Sequence, residues 1–218
     1  MHKLFDQDER LLIFSPHADD EVLGCGGLMS KMKSANVHIA EFTIGSAVRK
    51  REFEKIMGFC QIDNFETLYD DSYHLKLDLI PMFDLVNKAE SVIERVKPYA
   101  VAIPFPSFNQ DHAIVYNCCM TALRSRKKKF FMPEAVIVYE YPQVNWITNV
   151  QMFQPNLYID ISKHLLKKVE MLAMYESQMG DEDYAVSKNG VMSMARYRGK
   201  EVSVEAAEAY EIKRLLVF

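Results

Sequence analysis

A histidine and three carboxylates crowd into five residues near the start of the chain: His17, Asp19, Asp20 and Glu21. Acids this close repel one another unless positive charge sits among them, and a bound divalent cation is the most economical source of it. His17 and Asp20 are three apart in a turn entering a helix, a spacing that lets two side chains point to one side. Asp19, between them, projects differently, close to a metal but free to handle a proton. Two donors make a poor site. A third is expected from His112, in the segment Asn109-Gln110-Asp111-His112. A His-Asp-His set with one open position suits catalytic zinc, although spacing does not separate zinc (Zn2+) from iron(II) or another divalent ion. The competing reading is a hydrogen-bonded core histidine beside ordinary acids, which the mutual repulsion of Asp19, Asp20 and Glu21 disfavours.

Two apolar runs must bring these groups together. Leu11 to Phe14 reads as a short buried strand that stops at Pro16, because proline has no N–H for a sheet ladder. Tyr99 to Phe105 is the second, again ended by proline, and His112 follows it closely. In an open α/β sheet, ligands bind in the crevice beyond the C-terminal ends of the strands. Both segments therefore arrive at one edge. Between and after them, strand and helix patterns alternate: helix over 21–35, strand 38–44, helix 49–60, weak strand 66–69, helix 80–97, helix 112–125, strand 135–141. That alternation predicts a Rossmann-like three-layer α/β sandwich with a mostly parallel central sheet. Residues 143–155 have no clear period and read as a loop. Asn156 to Ile161 reads as a strand, and Ser162 as the cap of a helix over 163–178. From Ser187 the tail reads as helical in two pieces divided by Gly199. The absence of repeats or of a Pro-, Gly- or Ser-rich linker predicts one domain over 1–218.

The chain as a whole narrows the class. Its hydrophobic fraction of 49% supports a sizeable core, and its formal charge of −4 argues against nucleic acid as the main partner. Four scattered cysteines (Cys25, Cys60, Cys118, Cys119) lack Cys-x-x-Cys spacing and fit reduced thiols in a cytoplasmic protein. No signal peptide is read at the N-terminus and no apolar run reaches membrane-spanning length. The oligomeric state is open.

Other candidates carry bland alternatives. Gly24, Gly26 and Gly27 fail the dinucleotide fingerprint because Met29 stands at the third glycine position; they read as points of close helix approach. Arg49 reads, from its own spacing, as a helix-start arginine paired with Glu52. The basic run Arg124-Ser-Arg-Lys-Lys-Lys129 is a solvated helix end or, alternatively, an anion-docking patch. Trp146, with Tyr139 and Tyr141, suits either the wall of a sugar site or packing. His2, His38, His74 and His164 show no ligand spacing.

Pro16-His-Ala-Asp-Asp-Glu21 followed by Val-Leu-Gly-Cys-Gly-Gly27 resembles the first motif of the PIG-L (LmbE-like) family of zinc-dependent N-deacetylases. Asn109-Gln-Asp-His112 is similar to the later Asp-His motif, and Arg49-x-x-Glu52 leading to Cys60-Gln-Ile62 to the family's Arg-x-x-Glu helix. Tyr175-Glu-Ser-Gln178, Arg198-Gly199 and Ala206-Ala-Glu-Ala-Tyr210 resemble the C-terminal part of one bacterial branch. The resemblance implies that His17, Asp20 and His112 bind zinc, that Asp19 is the general base, and that Asp111 orients a ligand imidazole. It also implies that Arg49 contacts substrate. Many relatives carry a histidine where this chain has Asn109, and an amide donates a hydrogen bond but no proton. The implied activity is removal of the acetyl group from an N-acetylated amino sugar of the GlcNAc type or a glycan precursor. The alternatives are hydrolysis of another amide or carbamoyl group, and an inactive metal-containing relative that binds a glycan.

Overall fold

The computed structural model describes residues 8–127, 129–142 and 152–217. Seven strands among them form one sheet in the order β3-β2-β1-β4-β5-β7-β6. These are β1 (Leu11–His17), β2 (Val37–Thr43), β3 (Phe65–Thr67), β4 (Ala100–Pro104), β5 (Ala135–Tyr139), β6 (Leu157–Asp160) and β7 (Ala207–Leu215). Five strands, β3 through β5 in that order, run parallel; β7 is antiparallel to both of its neighbours. The helices are α1 (Asp20–Lys31), α2 (Ala47–Cys60), α3 (Met82–Val96), α4 (Gln110–Ala122), α5 (Leu165–Ala173) and α6 (Lys188–Glu201). None of the described helices is long and apolar enough to cross a membrane.

Side chains alternate across a strand, and both faces of this sheet are covered. Leu11 and Ile13 of β1 join one core with residues of α1, α2, α5 and α6. Leu12 and Phe14 join the other, with α3 and α4. The chain steps from β1 outward to β2 and β3, then crosses back to β4 on the other side of β1. The reversal of strand order lies between β1 and β4; His17 closes β1, and His112 stands in the first turn of α4, the helix that follows β4.

Helix α1 is buried along most of its length, from Asp20 through Met29. Its glycines let it lie against the sheet: a Cβ on Gly24 would sit 2.1 Å from the Tyr139 ring, and one on Gly27 would sit 2.5 Å from Ile161. Beneath it, Glu208 of β7 accepts the Gly27 and Leu28 amide N–H groups (2.7 and 2.8 Å). The Lys168 ammonium donates to Glu208 (2.6 Å) and to the Leu23 carbonyl (2.8 Å), and the Tyr210 hydroxyl donates to Glu208 (2.8 Å). All three side chains are buried, so the charges are satisfied only by one another and by the helix backbone.

Several local expectations need correction. Strand β1 does not stop at Pro16; the ladder skips that residue and resumes with His17 opposite Thr43 of β2. The tail beyond Gly199 is not a second helix. Ala207–Leu215 is β7, although its Ala, Glu, Lys, Arg and Leu are good helix formers. Backbone pairing to β5 on one side and β6 on the other overrides that preference. Helix α5 ends at Ala173, and its cap is His164, not Ser162; the Ser162 hydroxyl donates instead to Asp160 (2.5 Å). The basic run is partly paired: Arg124 meets Glu90 (2.7 Å) and Arg126 meets Glu94 (3.0 Å), both on α3. The expected loop falls mostly on 143–151, and with Trp146 it lies outside the described residues.

Candidate metal centre

His17, Asp20 and His112 come together at the β1–β4 edge, with one donor atom from each lying within 4.8 Å of the others. All three are buried. Asp20 Oδ2 is 3.5 Å from His17 Nδ1 and 3.2 Å from His112 Nε2, so one carboxylate oxygen faces both imidazoles. Two imidazoles and a carboxylate at this separation match the donor set and span of a divalent transition-metal site. His112 Nδ1 is buried and has no hydrogen-bond partner among the described residues. The group could bind a metal.

The elements explain the placement. Asp111 and His112 are in the first turn of α4, where the Asn109 side chain caps the helix by accepting the Asp111 amide N–H (3.1 Å). Asp111 is fully buried; its Oδ1 accepts the Leu77 amide (3.1 Å) and its Oδ2 lies 3.0 Å from His17 Nε2. That contact fixes the His17 ring and turns Nδ1 toward Asp20, the arrangement by which a carboxylate behind a histidine orients it. Asp19 departs from ordinary backbone, with φ 140° and ψ −29°. That conformation is locked by hydrogen bonds: the Asp19 amide donates to Glu21 (2.8 Å) and its carbonyl accepts from Val22 and Leu23. Glu21 in turn accepts the buried Tyr175 hydroxyl (2.5 Å).

Burial and charge set the protonation states. Burial alone would lower the pKa of His17, but the hydrogen bonds to Asp111 and Asp20 outweigh it and raise it to about 9. Burial disfavours ionised Asp20 too, yet the charge and hydrogen bond of His112, with help from His17, hold its carboxyl well below the usual range. Asp19 goes the other way: burial, then the Asp20 charge, push it well above an ordinary carboxyl, against the opposing pull of Arg49. Burial pushes Glu21 up to about 7.

In metal-free protein, the His17 proton makes stability depend on pH. Because His17 holds its proton more tightly folded (about 9) than unfolded (6.5), its stabilisation is complete below pH 6.5 and is lost as pH rises to about 9. The Tm of chelator-treated protein is therefore expected to fall across that window. Protein in which a metal holds the His17 imidazole neutral is expected to lack that fall, and a pH series of melting curves on both forms checks it.

The three donors open into a cavity of about 330 Å3, which Asp19, Arg49, His74, Leu75, Asn109 and Tyr141 also line. The Tyr141 ring packs against His112, with centroids 4.6 Å apart. Arg49 does not pair with Glu52; its guanidinium donates to Gln178, while Glu52 accepts the amide (2.9 Å) and hydroxyl (2.5 Å) of Ser177. The Arg-x-x-Glu pair of α2 thus fastens the segment after α5 beside the cavity. Tyr139, by contrast, is core, its hydroxyl donating to the Phe14 carbonyl (3.0 Å). Of the histidines without ligand spacing, His38 pairs with Glu66 at the far edge of the sheet (2.9 Å). His74 reaches the cavity, its ring edge-on to His17 at 4.6 Å. Burial, then the His17 and Arg49 charges, lower its pKa to about 4. No spacing rule links His74 to His17; only the fold does.

Comparison with known proteins agrees with this picture. The fold matches the conserved protein TT1542 from Thermus thermophilus with a TM-score of 0.75 at 22% identity, covering 96% of this chain and 97% of that one. It matches N,N'-diacetylchitobiose deacetylase from Pyrococcus horikoshii with a TM-score of 0.71 at 18% identity, covering 94% and 83%. The 4-carboxy-2-hydroxymuconate hydratase GalB from Pseudomonas putida KT2440 matches with a TM-score of 0.70 at 17% identity, covering 96% and 98%. At these identities the likeness establishes the α/β fold. Residues 12–123, which contain His17, Asp19, Asp20 and His112, match the profile of the PIG-L family, described as GlcNAc-PI de-N-acetylase. That match takes in just over half of the 218 residues, and the chain belongs to the PIG-L family.

Proposed function

We propose that the protein is a metal-dependent hydrolase that removes the acetyl group from an N-acetylated amino sugar or a conjugate of one. One observation carries this reading: a buried His-Asp-His donor set shares its cavity with a carboxyl group, that of Asp19, which belongs to no ion pair among the described residues. Zinc, or iron(II), held by His17, Asp20 and His112 would supply a Lewis acid for the amide oxygen. Asp19 acts as the general base: its carboxylate lines the cavity beside the donor set, where it takes a proton from the attacking water and returns it to the departing nitrogen. Asp111 keeps the His17 ring in register. Asn109 holds α4, and with it His112, through the cap. Arg49 supplies a cation at the cavity wall that suits a sugar hydroxyl or a phosphate. At about 330 Å3 the cavity lies at the small end of the range for small-molecule sites and accommodates one sugar ring. The family's own description, a de-N-acetylase of a GlcNAc conjugate, supports the same substrate class.

The test is acetate release from a panel of N-acetyl amino sugars and their conjugates, with protein loaded with zinc or iron(II). Turnover is expected on at least one member, lost on chelation and restored by the metal. Metal-replete protein that releases no acetate would refute the reading. Cleavage of a carbamoyl or other amide from the same panel would move the substrate class, and sugar binding without turnover would favour a glycan-binding relative.

A further inference from the structure

His74 lines the cavity without belonging to the three-donor cluster. It follows the short turn Asp71–Tyr73, and Asp71 ties that turn to the loop after β2 by accepting the amides of Ile44 (3.0 Å) and Gly45 (2.8 Å). The ring stands edge-on to His17, and its Nδ1 lies 3.1 Å from Thr43 Oγ1. The other contact of that hydroxyl, to the Pro16 carbonyl, is longer at 3.4 Å; assigning the hydroxyl proton to the shorter contact leaves the imidazole hydrogen on Nε2. Gly45, at φ +107°, packs its backbone closely against this part of the ring, where a Cβ would sit 2.8 Å from Cε1 and 2.9 Å from Nε2. A polar N–H on a ring that is held through its other nitrogen and lines the same cavity as the donor cluster is of the kind that stabilises an oxygen on which charge develops. Asn109, the amide at the rim, has its carbonyl committed to the α4 cap.

Resting on the deacetylase reading above, we propose that His74 is a catalytic residue whose Nε2–H hydrogen-bonds the substrate amide oxygen as negative charge builds on it. The oxygen is that of the acetamide carbonyl, and the donor keeps its proton throughout.

Two variants separate the nitrogens. In His74→Asn the amide occupies the place of Nδ1 and Nε2 is lost; in His74→Gln the amide reaches the place of Nε2. Each is measured for kcat and KM of acetate release, for metal content, and by calorimetry for affinity toward a phosphonamidate analogue of the tetrahedral centre. For His74→Asn, kcat is expected to fall about 100-fold with KM and metal content close to wild type, and the analogue to bind weaker by a similar factor. His74→Gln is expected to regain roughly tenfold or more of both. An H74N variant within about threefold of wild type in rate and analogue affinity would overturn the proposal, as would equal losses in both variants or a loss that tracks metal content. If the wild type releases no acetate from any substrate, the deacetylase reading fails and takes this one with it; an active wild type with an unimpaired H74N variant removes this one alone.

Discussion

Asp19→Asn is expected to reduce acetate release by about 1,000-fold while leaving metal content and melting temperature near those of the wild type. The side chain changes by one atom, and asparagine tolerates positive φ about as well as aspartate does. The hydrogen bonds that lock the turn use the backbone N–H and C=O of residue 19, which the substitution keeps. What disappears is a carboxyl that lines the cavity and belongs to no ion pair among the described residues, whereas Asp20 faces His17 and His112 and Glu21 accepts the Tyr175 hydroxyl. Steady-state kinetics with metal analysis on the same preparation decide it. A variant that keeps full activity would place the base elsewhere, and one that loses metal would make Asp19 a ligand.

Glu208→Ala is expected to cost about 3–5 kcal/mol of stability, because it leaves the Lys168 ammonium buried without a counter-charge. It also strips the acceptor from the Gly27 and Leu28 amides inside α1. For a chain of this size that corresponds to a drop in Tm of roughly 10 °C, read by calorimetry on matched apo samples. A fall below about 2 °C would mean that water replaces the carboxylate and that the network does little to hold α1. Because α1 begins at Asp20, the variant is also expected to weaken metal binding. The effect reaches the site through the helix it anchors.

The parts of this molecule that could be read from the sequence are those in which one segment determines its own fate. The apolar runs of β1 and β4 announce a buried parallel sheet, and the crowded acids after β1 mark the place where positive charge is most needed. The C-terminal part was harder for the opposite reason. Ala207–Leu215 has helix-forming residues, and it is a strand because β5 and β6 offer it two ladders, a fact about residues 135–160. Glu208 looks like a solvent-exposed acid until Lys168 and the amides of α1 are seen around it. His74 likewise carries no local sign of its place. The 71–74 turn is brought to His17 by Asp71 gripping the loop after β2. The Arg-x-x-Glu pair was legible as a motif, but its partners, Gln178 and Ser177, lie more than a hundred residues away.

The most direct measurement is an anomalous difference map from crystals of the zinc-loaded protein, recorded on either side of the zinc absorption edge. A single strong peak is expected about 2.0–2.2 Å from His17 Nδ1, His112 Nε2 and an Asp20 oxygen, with Asp19 outside bonding distance. A peak at any other set of side chains, or none between the two imidazoles at full zinc loading, would contradict the assignment.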